Sequence, residues 1–132
     1  MKNNAFIGKY LNCYIGWANN ELIRYNASSG GVLTSLLVFA LEKKMISGAL
    51  VTRQRKDNPL LAEQFIARNK KEIINARGSK YCPVSRENAL KKIINSRREE
   101  KFAVVGLPCH VWEMKKNEKL KGKISFYFGL FC

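Results

Sequence analysis

From Gly31 to Lys44 the apolar residues fall at Val32, Leu33, Leu36, Leu37, Ala40 and Leu41. That three-and-four spacing belongs to a helix burying one face, and Lys43-Lys44 closes the run where cations suit a helix carboxyl end. Ser85 to Ser96 repeats the pattern with Ala89, Leu90, Ile93 and Ile94 on one side, and Ser85 is a candidate cap. Lys70 to Ala76 predicts a brief helix and Cys109 to Leu120 a longer one. Between them lie short apolar runs of strand type: Ala49-Leu50-Val51-Thr52 after Gly48, Gln64 to Arg68, Phe102 to Gly106, and Ile124 to Phe128. Near the amino terminus, Tyr14-Ile15-Gly16-Trp17 reads as a strand, Asn19-Asn20 as a turn, and Glu21 to Tyr25 as a second strand completing a hairpin.

Helices alternating with apolar strands predict an α/β fold, with a mixed, partly parallel sheet flanked by helices. A chain of 132 residues suffices for one domain, 1–132, and is short for two. The last strand runs into Cys132 with no polar tail. Chain ends are usually exposed and polar, so the segment reads as the amino-terminal part of a longer protein.

Composition sharpens this picture in two places. The longest apolar run, Val32 to Leu41, is far below the ~20 residues that span a bilayer. No membrane span is expected, nothing at the amino terminus reads as a secretion signal, and the expected location is the cytoplasm. The charge is unusual: 24 Lys and Arg stand against 10 Asp and Glu, a formal +14. Such an excess attracts nucleic acid, acidic proteins and phosphate-bearing cofactors alike. The cations are scattered over Arg53 to Lys56, Lys70-Lys71, Lys91-Lys92, Arg97-Arg98 and Lys115-Lys116, without a single basic stripe or a nucleic-acid motif. A basic nucleic-acid-binding module is therefore the weaker alternative.

Three stretches carry candidate chemistry. Asn26-Ala27-Ser28-Ser29-Gly30-Gly31-Val32-Leu33-Thr34 sets hydroxyls and paired glycines before the long helix. Glycines admit a ligand to the backbone, and first-turn amides with Ser28, Ser29 and Thr34 can donate to an anion at the positive helix end. The plainer reading is a cap packed tightly against a neighbour. Gly78-Ser79-Lys80-Tyr81 is either a second wall of that pocket, with Lys80 facing a phosphate and Tyr81 an aromatic platform, or a polar turn. Gly106-Leu107-Pro108-Cys109-His110 lies where a strand meets a helix, where α/β proteins often mount their sites. Its thiol is a ligand, a nucleophile or a small packing group. His110, the only histidine, raises a Cys-His pair, although adjacent helical side chains diverge. Cys132 repeats the arrangement after Gly129; two cysteines at neighbouring strand ends can share a metal centre without completing it. Spacings of 69, 27 and 23 residues between Cys13, Cys82, Cys109 and Cys132 fit neither a zinc ribbon nor a disulfide scaffold.

Taken in order, Tyr14-Ile15-Gly16, Arg24 to Thr34 with its SSGG core, Leu41 to Val51, GSKY at 78–81, Val104 to His110 with GLPC, and the closing GLFC resemble the coenzyme F420 hydrogenase/dehydrogenase beta subunit family of iron-sulfur flavoproteins. The resemblance implies FAD held partly by Ser28, Ser29, Gly30, Gly31 and Thr34 and by Gly78, Ser79, Lys80 and Tyr81. It also implies a [4Fe-4S] cluster ligated by Cys109 and Cys132, with Cys82 a weak candidate for a third ligand and Cys13 structural. The activity it implies couples hydride exchange with F420 or another small molecule to one-electron transfer, with a ferredoxin-type or hydrogenase/dehydrogenase partner. It identifies no catalytic residue. A non-catalytic fragment that has lost its cofactors is the other alternative.

Overall fold

The computed structural model describes residues 1–131. Its main body is a four-stranded sheet between two pairs of helices. In chain order the elements are β1 (Lys2–Asn4), β2 (Gly8–Tyr10), α1 (Glu21–Tyr25), α2 (Val32–Glu42), β3 (Gly48–Gln54), β4 (Ala62–Ala67), α3 (Lys70–Asn75), α4 (Glu87–Ile94), β5 (Phe102–Gly106), α5 (Pro108–Lys116), a 3-10 turn (Glu118–Leu120) and β6 (Ile124–Gly129). The sheet order is β4-β3-β5-β6. β3 pairs antiparallel with β4 and parallel with β5, and β5 pairs parallel with β6, which gives the expected mixed α/β sheet.

Strand alternation divides the core. Ala49 and Val51 of β3 and Ala103 of β5 face α2 and α3, where Leu37, Val38, Ala40 and Ile73 bury. Leu50, Phe102 and Val104 point the other way, onto Ala89 and Ile93 of α4, Met114 of α5 and Leu120. Leu50, Ile93 and Phe102 are fully buried, each contributing roughly 1.5–3 kcal/mol of hydrophobic stabilisation. A register shift between Phe102 and Ala103 leaves Ser125 unmatched, so Ile124 and Phe126 of β6 serve opposite faces. Among the described residues no charged or polar side chain is buried, so the cationic excess lies on the surface.

Three expectations are corrected. Glu21 to Tyr25 is a helix: Asn20 Oδ1 accepts the Ile23 N–H at 3.0 Å as an N-cap, and the Asn26 side chain donates to the Leu22 carbonyl at 2.9 Å at the far end. Only Ile23 buries, so its alternation with polar neighbours had no sheet face behind it. Residues 14–17 form no strand; the hairpin lies earlier, as β1 and β2, where Asn4 Oδ1 accepts the Phe6 N–H at 2.8 Å. Further along, Ser85 does not cap α4, whose N-cap is Arg86 with no side-chain bond.

α2 and α3 run antiparallel side by side. Lys70 Nζ meets Glu42 Oε1 at 3.0 Å where α2 ends and α3 begins. Asn26 and Ser28, before α2, meet Arg77 and Ser79, after α3. Residues 43–47 return the chain directly from α2 to the start of β3, so the opening of α2 and the end of α3 face the sheet edge where β3, β5 and β6 finish. Ligands of open α/β sheets bind at that edge.

Candidate functional site

The serine-glycine loop owes its glycines first to packing. Gly31 is the N-cap of α2 at φ +74°, in the left-handed region, and a Cβ there would lie 3.2 Å from both Ala18 Cβ and Ile23 Cγ2. A Cβ on Gly30 would lie 2.9 Å from the Gly16 carbonyl oxygen, because the Ala18 N–H donates to the Gly30 carbonyl at 2.7 Å. The segment 16–18 thus lies directly against the loop. This is the tight-packing alternative, and it leaves the other side of the loop open: Ser28 and Ser29 are exposed and Thr34 half-buried. Gly31 has no side chain, so α2 begins without a side-chain cap and its first-turn amides keep their capacity to donate.

The GSKY turn is brought to this loop. Ser28 Oγ accepts the Ser79 N–H at 2.8 Å, and Arg77 Nη2 donates to Asn26 Oδ1 at 3.5 Å, two rungs joining 26–28 to 77–79. Lys80 turns inward: its amine donates to the carbonyls of Ala76 and Arg77, each at 2.6 Å, and of Gly78 at 2.8 Å, closing the carboxyl end of α3. Burial, and then the Arg77 charge, hold its pKa below the ordinary lysine value. Tyr81 is 96% exposed, so one whole ring face is free. Arg77 is the residue of this junction that sequence reasoning passed over; its place immediately before Gly78 was the available signal.

The second locus is the end of β5 and β6. Gly106 pairs with Gly129, and the Leu130 N–H donates to the Gly106 carbonyl at 2.9 Å, carrying the pairing past the strands. GLPC and the first residues of GLFC therefore leave the sheet side by side. Pro108 opens α5, its missing N–H costing nothing at that position, and Cys109 follows, exposed. Cys132 lies outside the described residues. Cys82 is half-buried, and Cys13 is exposed and so packs nothing. His110 folds back on the strand end: its Nδ1 accepts the Leu107 N–H at 3.4 Å, and a Cβ on Gly106 would lie 3.0 Å from His110 Cβ. Burial first and the Arg86 charge second lower the His110 pKa, with Glu113 opposing; Arg86 and Glu113 pair at 2.7 Å. The described residues hold no group of three or more His, Cys, Asp or Glu suited to a metal.

An apolar cleft of about 370 Å³ adjoins this end, lined by Pro108, Val111, Trp112, Lys115, Leu130 and Phe131. The larger cleft, about 450 Å³ between α4 and α5, is lined by none of the predicted site residues. No described helix is long and apolar enough to cross a membrane.

Helices on both faces of a partly parallel sheet, with an amide- and hydroxyl-lined loop at its carboxyl edge, define an α/β protein. Its family is narrower. Residues 13–91 match coenzyme F420 hydrogenase/dehydrogenase, beta subunit N-term, and the chain belongs to that family. Over its full length it is 30% identical to coenzyme F420 hydrogenase subunit beta from Methanosarcina barkeri, covering 47% of that protein. It is 32% identical, over 78% of its own length and 19% of the other's, to coenzyme F420-dependent sulfite reductase from Methanocaldococcus jannaschii. A chain of the F420-reducing [NiFe] hydrogenase complex from Methanosarcina barkeri shares the fold with a TM-score of 0.89 and 29% identity, over 100% of this chain and 47% of that one. These relatives are oxidoreductases or their subunits. The chain spans about half the length of the hydrogenase beta subunits it matches.

Proposed function

We propose that this chain is the amino-terminal part of an iron-sulfur flavoprotein oxidoreductase, and that it contributes the flavin site and part of a [4Fe-4S] site. The observation that carries the reading is the junction of the two motifs: Ser28 bonded to Ser79 and Asn26 to Arg77, beside a helix amino end without a side-chain cap. Hydroxyls, free amides and a guanidinium on one open surface suit the phosphates and ribityl oxygens of FAD. Ser28, Ser29, Gly30, Gly31 and Thr34 form one wall, and Gly78, Ser79, Lys80 and Tyr81 the other. Lys80 serves by fixing the turn, and Tyr81 offers a ring face. A bound flavin would supply hydride exchange with F420 or another small molecule and single-electron exchange with a cluster.

For the cluster, Cys109 and Cys132 are the proposed ligands and Cys82 a weaker third. Cys109 suits the role by being exposed beside the paired strand ends. A cubane cluster takes four ligands, so the set is completed by residues beyond these cysteines. The proposed electron partner is a hydrogenase, dehydrogenase or ferredoxin-type protein, and the proposed location is the cytoplasm.

The test is preparation of the full-length protein without oxygen, followed by reconstitution and measurement of flavin, iron and sulfide. A yellow-brown protein with about one flavin per chain and about four irons per cluster is expected. A colourless product with neither, after reconstitution, would overturn the proposal.

A further inference from the structure

We infer that Arg77 is the residue that holds the diphosphate of a flavin dinucleotide, at the junction of the serine-glycine loop and the GSKY turn. This rests on the flavin reading above and changes which cation does the work. Lys80 has three N–H donors and spends all three on the carbonyls of Ala76, Arg77 and Gly78. It stabilises the turn and has no donor left for a ligand. The Arg77 guanidinium has five N–H donors and uses two, Nη1 on the Ile74 carbonyl at 3.0 Å and Nη2 on Asn26 Oδ1 at 3.5 Å. The first anchors the plane of the fork to the end of α3. The second is at the outer limit of a hydrogen bond, and an anionic oxygen readily replaces it, since charge-assisted bonds are shorter and stronger.

The electrostatics point the same way. Among the described residues neither Arg77 nor Lys80 pairs with a carboxylate, although seven ion pairs form elsewhere. Two like charges held together without a counter-charge favour an incoming anion. Hydroxyl donors stand beside them. Ser28 Oγ accepts from Ser79 N–H, which leaves the Ser28 hydroxyl proton available to donate, and the Ser79 side chain is exposed. A guanidinium fork matches the oxygens of a diphosphate two at a time, which a lysine point charge does not.

The experiment compares FAD with riboflavin, which lacks the diphosphate, by fluorescence titration of the full-length protein at fixed ionic strength. Wild type is expected to prefer FAD. Arg77→Gln should weaken FAD by about 10- to 100-fold, the loss of a hydrogen-bonded charge contact, and change riboflavin by less than about 3-fold. Arg77→Lys, which keeps the charge without the fork, should restore part of the preference and carries the test if Arg77→Gln does not fold. Arg98→Gln, which removes an exposed cation outside the site, should leave the FAD-to-riboflavin ratio unchanged. A ratio that survives both Arg77 variants, or that falls as far for Arg98→Gln, overturns this inference alone. A wild type that binds no flavin overturns it together with the reading it rests on.

Discussion

Replacing Gly31 by Ala separates two reasons for a glycine in the serine-glycine loop. At φ +74° an L-residue costs about 1–2 kcal/mol. The new methyl would also lie 3.2 Å from Ala18 Cβ and Ile23 Cγ2 and 3.3 Å from the Ile23 carbonyl oxygen, all tighter than ordinary contact. Relaxing those contacts adds about 1 kcal/mol, the lower end of the cost of overpacking. Against this, Ala restricts the unfolded chain and returns roughly 0.4–1 kcal/mol. The net is a loss of about 2 kcal/mol, equivalent to a melting temperature lower by roughly 6–10 °C for a domain of this size. Gly122→Ala is the internal control, because Gly122 has φ +75° and a Cβ there meets nothing within 4 Å. It bears the backbone cost alone and should lose about 1 kcal/mol or less. Urea denaturation of the cofactor-free protein reads both. Equal losses for the two variants, or no loss at Gly31, would refute the packing argument and return the glycine to ligand approach alone.

His110 has a pKa below the ordinary histidine value in the folded protein, so between that lowered value and about 6.5 the unfolded chain binds more protons. Stability should therefore rise with pH through this window, and denaturation midpoints for His110→Gln should be flatter there than wild type. Cys109→Ser should leave the melting temperature within about 2 °C, because the thiol is exposed, while iron retained after reconstitution falls; unchanged iron would remove Cys109 from the ligand set. Leu50→Ala, in a fully buried position of β3, should cost about 2–5 kcal/mol by chemical denaturation.

The elements that bury a face were legible because burial writes its period into the chain. α2 follows from residues 31–44, and β3, β5 and β6 from apolar runs next to glycines. What failed was short and solvated. Glu21 to Tyr25 buries only Ile23, so its helix rests on Asn20 and Asn26 rather than on a periodic face, and β1 and β2 lie in a segment where nearly every side chain is exposed. The Asn20 cap was a readable sign that an apparent alternation outweighed.

Sequence alone determined the order of layers, the motifs and their chemistry, since hydroxyls, glycines and thiols are set by residue type. It could not determine which of them meet. That Ser28 touches Ser79 across 51 positions, that Lys80 is consumed by carbonyls while Arg77 keeps donors, and that Gly30 and Gly31 press on residues 16–18 follow only from the antiparallel packing of α2 on α3 and the course of the chain before them. Such contacts depend on where a donor's nearest acceptor falls in space, and local sequence carries no record of that distance.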